Sequence, residues 1–512
     1  MTLESSHPSL YGAVTILVCL LFLNGWLKKP RDPRQPKQVP ATIPIPFFGH
    51  IIGLLIWRNH YYTKVSQQWN LPIISLAIFG AKVYVSRSPE LLYSVQRQPK
   101  SLSFWYFEAH FTALLGGLSK AGSDGCFRGV RPESIDDCPL IDCLKGVKAA
   151  VSSQGDLERM SQVALDTLHK GVHRFMQEKS GPIDLEAWIK REIMLATTDA
   201  VYGARNPFRD PAIVEGFWNF TDGALFVALP RILPRILAPK AVAGREAVFR
   251  AIEQYYESDG LQDASQLARA RYSILTQSGM SVQDTARAEC VFGIALNGNT
   301  APTAFWVVWH IFSDAVVLAR IRKELEKFVS TELNGKQGVQ TLTLDLRGVK
   351  ENQYLQSVIQ ETLRYRARGT GPRMVLEDVT LSGDDCEYLL EKDSTLILAH
   401  EGMHYNKAVW GTDAESFVSD RFLPGDKAPP TAFRGFGGGA NLCPGKSFAM
   451  SEIASLVAML VTQADMEAVG GWNEPGRDAS NMARENPPPL RKVMVNVAPR
   501  VGMEDVVWKY VL

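Results

Sequence analysis

The chain has 512 residues, 46% of them apolar and 10% aromatic, with 55 Lys+Arg against 54 Asp+Glu for a formal charge of +1. This balance excludes a polyelectrolyte: there is no basic excess for nucleic acid and no acidic excess for cations, and the aromatic content excludes a mostly disordered chain. Seven cysteines, odd in number, widely spaced and without a CxxC pair, exclude a secreted disulfide framework, and a chain this long can bury its core without disulfides or a structural metal.

Leu10 to Leu27 carries no charge over 18 residues, a length that just spans a bilayer. Lys28, Lys29, Arg31, Arg34 and Lys37 follow at once, whereas only Glu4 and His7 precede it. The positive-inside rule predicts a short lumenal N-terminus at 1–9, one transmembrane anchor at 10–27 and a cytosolic remainder, a single-pass topology at the endoplasmic reticulum membrane. A cleaved signal peptide would carry its positive charge ahead of the apolar run. Prolines at 30, 33, 36, 40, 44 and 46 make 28–49 a stiff linker, leaving 50–512 as the catalytic body.

The body reads as mainly helical with little sheet. Ile73–Ile78 and Lys82–Val85 are short strands by pattern. Residues 119–140, rich in Gly, Asp, Cys and Arg, read as a loop, and Cys126, Cys138 and Cys143 there lack a fourth zinc ligand. Residues 217–242 are apolar and broken by Pro230, Pro234 and Pro239, which fits a bilayer-surface segment or a buried hairpin. In the stretch 291–310, Pro302 has no N–H for the carbonyl of Gly298, so a helix there opens at Gly298, Asn299 and Thr300 and leaves a groove with a free acceptor. Asn299 can donate and accept a hydrogen bond but cannot exchange a proton near neutral pH. Asp314–Phe328 and Asn352–Tyr365 have helical apolar spacing, and Glu361 and Arg364 share one face of the second. Arg373–Val375 and Thr395–Leu398 read as strands.

Three motifs compete for the chemistry. His400-Glu401-Gly402-Met403-His404 spells HExxH, the pattern of a zinc peptidase. That chemistry needs a helix; a strand pattern leads into it and Gly402 weakens its centre, so it reads as a loop with two unrelated histidines. Gly445-Lys446-Ser447 resembles the end of a phosphate loop, but Ala440 stands where that loop needs glycine. The third motif is Cys443, preceded by Gly435, Gly437, Gly438 and Gly439 and followed by Pro444, Gly445 and an apolar helical run. A cysteine at or near a helix N-terminus meets backbone N–H groups that favour thiolate, and the glycines allow close approach to a flat ligand. This is the environment of a thiolate bound to haem iron, or of a buried cysteine in a tight turn.

Phe436-x-x-Gly439-x-x-x-Cys443-x-Gly445 resembles the haem-binding signature of the cytochrome P-450 family, Glu361-Thr362-Leu363-Arg364 its ExxR motif, and Phe417 to Phe422 its next segment. The resemblance spans nearly the whole chain. It implies a helical bundle with a small sheet, haem b with Cys443 as axial iron ligand, Phe436 and Gly437 against the macrocycle, and a bracing cluster of Glu361, Arg364 and Arg421. It also implies electrons from a membrane-bound NADPH reductase, with Lys446 and Arg434 as possible docking cations. The family's central helix ends in an acid followed by Thr; Gly298 and Asn299 stand there instead. Gly298-Asn299-Thr300-x-Pro302 with Phe305-Trp306 is similar to the branch of sterol 7α- and 12α-hydroxylases and prostacyclin synthase. Asn441 replaces a common propionate contact and no Trp-x-x-x-Arg occurs, so Arg373 and Arg434 are the expected propionate partners. The function implied is a monooxygenase acting on a lipophilic steroid or terpenoid in fungal-type secondary metabolism. The alternatives are a haem isomerase acting on a peroxide and, remotely, the zinc peptidase.

Overall fold

The computed structural model describes residues 32–512 except 79, 131–136, 178–180, 230–231, 335–338, 384–385, 426–428 and 505. The expected anchor at 10–27 lies outside the described residues; among these, no single helix is long and apolar enough to cross a membrane.

Helices dominate. Thr300–Phe312 is buried from Ala301 to Phe312, a helix apolar on every side and therefore central to the core. It continues Val282–Asn297 after a break at Gly298 and Asn299. Leu185–Tyr202 and Gln353–Arg366 pack against it, as does Lys446–Gln463, buried almost throughout from Phe448 onward. The largest sheet has five strands in the order Ile73–Ile78, Ala81–Ser86, Thr395–Ala399, Thr370–Val375 and Leu102–Ser103. Leu398 pairs with Gly371 and Leu396 with Arg373, which sets Gly371 and Arg373 on one face of the sheet.

Two expectations change. Residues 119–140 are not a loop throughout: Lys120–Phe127 is a helix, and another begins at Pro139. Ser119 caps the first, accepting from the Gly122 N–H at 3.1 Å, and its own N–H and hydroxyl reach Asp284 at 2.8 and 2.6 Å. A Cβ on Gly122 would lie 2.5 Å from the Asp284 carboxyl carbon, so the glycine that weakens the local helix permits the tertiary tie that holds it. The 217–242 segment is not a buried hairpin, and its exposed apolar side chains leave the bilayer-surface expectation standing. Pro211–Asp222 buries Phe217, Trp218 and Phe220, and the short helices Ala224–Val227 and Leu233–Leu237 then expose Leu225, Phe226, Ile232, Ile236 and Leu237.

Gln353–Arg366 starts at Asn352, whose Oδ1 accepts from the Leu355 N–H at 2.8 Å. One turn from its end, Glu361 and Arg364 have no exposed surface. Arg364 donates to both Glu361 oxygens at 2.7 Å, Arg421 Nε to Oε1 at 3.1 Å, and the Val418 N–H to Oε1 at 2.9 Å. Arg364 also donates to the carbonyls of His404, Ala414 and Ser416 at 2.7, 2.6 and 2.9 Å. One ion pair thus clamps the segments that lead to the cysteine loop. Glu361→Gln leaves Arg364 buried without its counter-charge and should cost about 3–5 kcal/mol in denaturant unfolding. A loss below about 1 kcal/mol, the value of a surface pair, would show that the clamp is not used.

Candidate active site around Cys443

The loop before Cys443 is closed by its own backbone: the Cys443 N–H donates to the Phe436 carbonyl at 2.9 Å. Gly437 and Gly439 hold φ of 71° and 60°, and a Cβ on Gly437 would lie 2.6 Å from the Asn441 carbonyl oxygen, so both turns require glycine. The following helix runs Lys446–Gln463 with Gly445 as N-cap, placing Cys443 two residues ahead of the cap. Burial pushes its thiol up, while the N–H groups of Gly445 and Lys446 pull it back. The side chain opens inward, onto two adjoining chambers of about 300 and about 380 Å³.

The first chamber is apolar, walled by residues such as Leu144, Val147 and Phe292. The second is the more polar of the two. It holds Arg373 and Arg434 with Phe436 and Gly437, and both arginines are buried without an ion pair among the described residues. Arg373 donates to the Pro372 carbonyl at 2.7 Å, and Arg434 Nε has no partner. Burial, with Arg434 nearby, pushes Arg373 down to about 10. Two buried guanidiniums are costly unless an anion meets them. His400 and Glu485 complete this edge: His400 Nδ1 bonds Glu485 Oε2 at 2.8 Å, and His400 Nε2 and Glu485 Oε1 are buried without partners. A thiol on a glycine cradle, beside buried unpaired arginines and an unpaired imidazole nitrogen, fits haem b, whose two carboxylates need such donors.

His400 and Glu485 escape the sequence reading. HExxH here is one helical turn, His400–His404, not a loop. Its groups diverge: His400 goes to Glu485, Glu401 to His60 at 2.8 Å and to Arg368, and His404 Nε2 accepts the Arg434 N–H at 2.7 Å. Among the described residues no three His, Cys, Asp or Glu side chains converge as metal ligands. Arg434 also fails as a docking cation, because its guanidinium is buried; Lys446 is exposed.

Asn299 and Thr300 line the polar chamber, and Gly298 forms the break beside them. A Cβ on Gly298 would sit 2.6 Å from the Ile294 carbonyl oxygen. The acceptor of Asn299 is already used: Oδ1 takes the Glu485 N–H at 2.9 Å. That bond fixes the amide so that its N–H₂ is the end left for a ligand. Thr300 and Thr303 direct their hydroxyl protons to the Leu296 and Asn299 carbonyls at 3.3 and 2.6 Å. Glu452, also at the chamber wall, has Thr197 as its hydrogen-bond donor, at 2.8 and 3.0 Å, and burial pushes its carboxyl up to about 8.

The family model for cytochrome P450 matches residues 157–490. A cytochrome P450 monooxygenase, nodJ, of Hypoxylon pulicicidum is 30% identical, covering 97% of this chain and 96% of its own. A bifunctional cytochrome P450/NADPH–P450 reductase of Gibberella moniliformis is 29% identical over 37% of this chain and 16% of its own. A cholesterol 7-alpha-monooxygenase of Cricetulus griseus is 26% identical over 52% of this chain and 57% of its own.

Glu452 sets a pH dependence. Its folded value of about 8 exceeds its unfolded value, so between roughly pH 4.5 and 8 unfolding releases a proton. The stabilisation is complete below that window and is lost as pH rises through it, at up to about 1.4 kcal/mol per pH unit. Melting curves from pH 5 to 8 should show this decline, and Glu452→Gln should flatten it; parallel curves would show that Glu452 does not titrate here.

Proposed function

The chain belongs to the cytochrome P450 family, and we propose that its monooxygenase chemistry is run by the residues gathered around Cys443. The family's cofactor is haem b, fed by electrons from an NADPH–P450 reductase; when bound, it supplies the activation of dioxygen. Cys443 would hold the haem iron through its sulfur, with the N–H groups of Gly445 and Lys446 offsetting part of the burial that pushes the thiol up. Arg373, Arg434 and His400 Nε2 would take the propionates, with Phe436 and Gly437 against the macrocycle. Asn299 would offer one fixed amide N–H to oxygen, next to Gly298 and Thr300. The observation that carries this reading is the pairing of a cavity-facing thiol with two buried arginines that form no ion pair among the described residues.

The substrate is read as a lipophilic steroid or terpenoid, oxidised in secondary metabolism. The apolar chamber supports a lipophilic substrate, and the similarity to a cholesterol 7-alpha-monooxygenase supports a steroid-like one. The uncharged run 10–27, together with exposed apolar residues at Phe47, Phe48, Leu55 and Ile56 and at Phe226, Ile232 and Ile236, supports anchoring to the endoplasmic reticulum membrane with the body in the cytosol. Lys446, exposed beside the cysteine loop, is the cation available to an acidic reductase surface. Peroxide isomerisation is the second reading, favoured by the loss of the acid at Gly298: it would need neither reductase nor NADPH.

Cys443→Ser should abolish the absorption band of the reduced, carbon-monoxide-treated protein at the thiolate position, and turnover with it. In membranes reconstituted with reductase, product should form in step with NADPH and oxygen consumption. Product without either would decide for isomerisation.

A further inference from the structure

The apolar chamber contains one group that neither the fold nor the chemistry above uses. Glu108 lies on the helix Trp105–Gly116 and lines the chamber with Thr112, one turn further along the same face. Among the described residues its carboxyl makes no hydrogen bond and no ion pair. Burial pushes its carboxyl up, and the nearby Arg271 only partly offsets this. Arg271 is already committed: its Nε donates to Glu289 Oε2 at 2.9 Å, and its guanidinium lies 3.3 Å from the centre of the Phe292 ring. The other Glu289 oxygen takes the Tyr202 hydroxyl at 3.0 Å. Glu289 thus holds the guanidinium, and Glu108 is the carboxyl left over.

A carboxyl in an apolar wall without a partner costs stability, so it is a group waiting for one. The partner's chemistry is restricted. The chamber wall carries one carboxyl and one guanidinium, Glu108 and Arg271, so it offers an ionic partner no excess charge of either sign. A carboxyl accepts a hydrogen bond from a hydroxyl group whether or not it is ionised. We propose that Glu108 is the polar anchor of the substrate chamber and binds a hydroxyl group on an otherwise apolar substrate, thereby setting which part of that substrate reaches Cys443. This rests on the reading of the chamber as the substrate site.

The test uses the holoenzyme and two rigid probes, 1-adamantanol and adamantane, titrated against the haem absorption band. Glu108→Leu should weaken adamantanol about ten-fold relative to wild type and leave adamantane unchanged or tighter. Glu108→Gln, which still donates and accepts, should hold adamantanol within about two-fold. Ligand-free Glu108→Leu should melt no lower than wild type, because it removes an unpaired carboxyl. Equal changes for both probes, no binding of adamantanol to wild type, or a lower melting temperature in Glu108→Leu would each overturn the assignment. The carbon-monoxide band of every preparation is recorded first. Its absence in wild type would defeat the haem reading itself, whereas a normal band without discrimination between the probes defeats only the role of Glu108.

Discussion

Glu361 and Arg364 face each other across one helical turn, with neither side chain reaching the surface. Taking two such ions out of water costs several kcal/mol each, and attraction alone rarely recovers it. Here the recovery comes from saturation. Glu361 accepts from two arginines and a backbone N–H, while Arg364 spends its remaining donors on the carbonyls of His404, Ala414 and Ser416. Those carbonyls can be reached only if the chain from 404 to 421 follows one path. The path extends to the cysteine loop through His404, whose Nε2 accepts the Arg434 N–H. Burial holds His404 well below its ordinary value, which keeps that nitrogen a lone-pair acceptor. The positions of Arg434 and, nine residues later, Cys443 are therefore consequences of a charge pair on a different helix.

The parts legible in the sequence are those with local causes. The helix Gln353–Arg366 follows from apolar spacing, and the four predicted strands follow from short β-rich runs bounded by turns. The cysteine loop follows from glycines whose positive φ only that residue adopts easily. What was not legible depends on contacts distant in sequence. Lys120–Phe127 is helical because Asp284 reaches Ser119. His400 becomes a site residue because Glu485 is brought to it, and the local HExxH spelling pointed to unrelated chemistry. Glu452 is perturbed because the fold buries it, and the hydroxyl of Thr197, on another helix, offsets that only in part. Glu108 reads as an ordinary acid in the first turn of a helix, and only the fold turns it toward an apolar chamber.

The two chambers divide the work by polarity. Arg373, Arg434, His400 and Glu485 concentrate charge at one edge, where a flat ligand with two carboxylates would bring its own. Leaving those cations unpaired within the protein is a stability cost that ligand binding removes, so cofactor loading and folding are coupled by mass action. The apolar chamber has almost no groups of this kind, and a single carboxyl there has correspondingly greater influence on which ligand enters.

The proposed oxygen side differs, as a set rather than at one position, from the acid-and-threonine pattern that the family resemblance implies. At Gly298 a Cβ would fall 2.6 Å from the Ile294 carbonyl oxygen, so an acid could not stand there without displacing the helix turn. Pro302 withholds the N–H that would close the next turn and keeps the break open. Asn299, placed at the break, finds its acceptor satisfied from outside the helix by the Glu485 N–H. Restoring the acid alone would meet the tight turn, and removing the proline alone would leave Asn299 tied to Glu485. The helix break, the amide and the loop that carries Glu485 therefore stand or change together. The same backbone N–H that orients the amide belongs to the residue whose carboxylate holds His400, which links the oxygen side to the cationic edge through one residue.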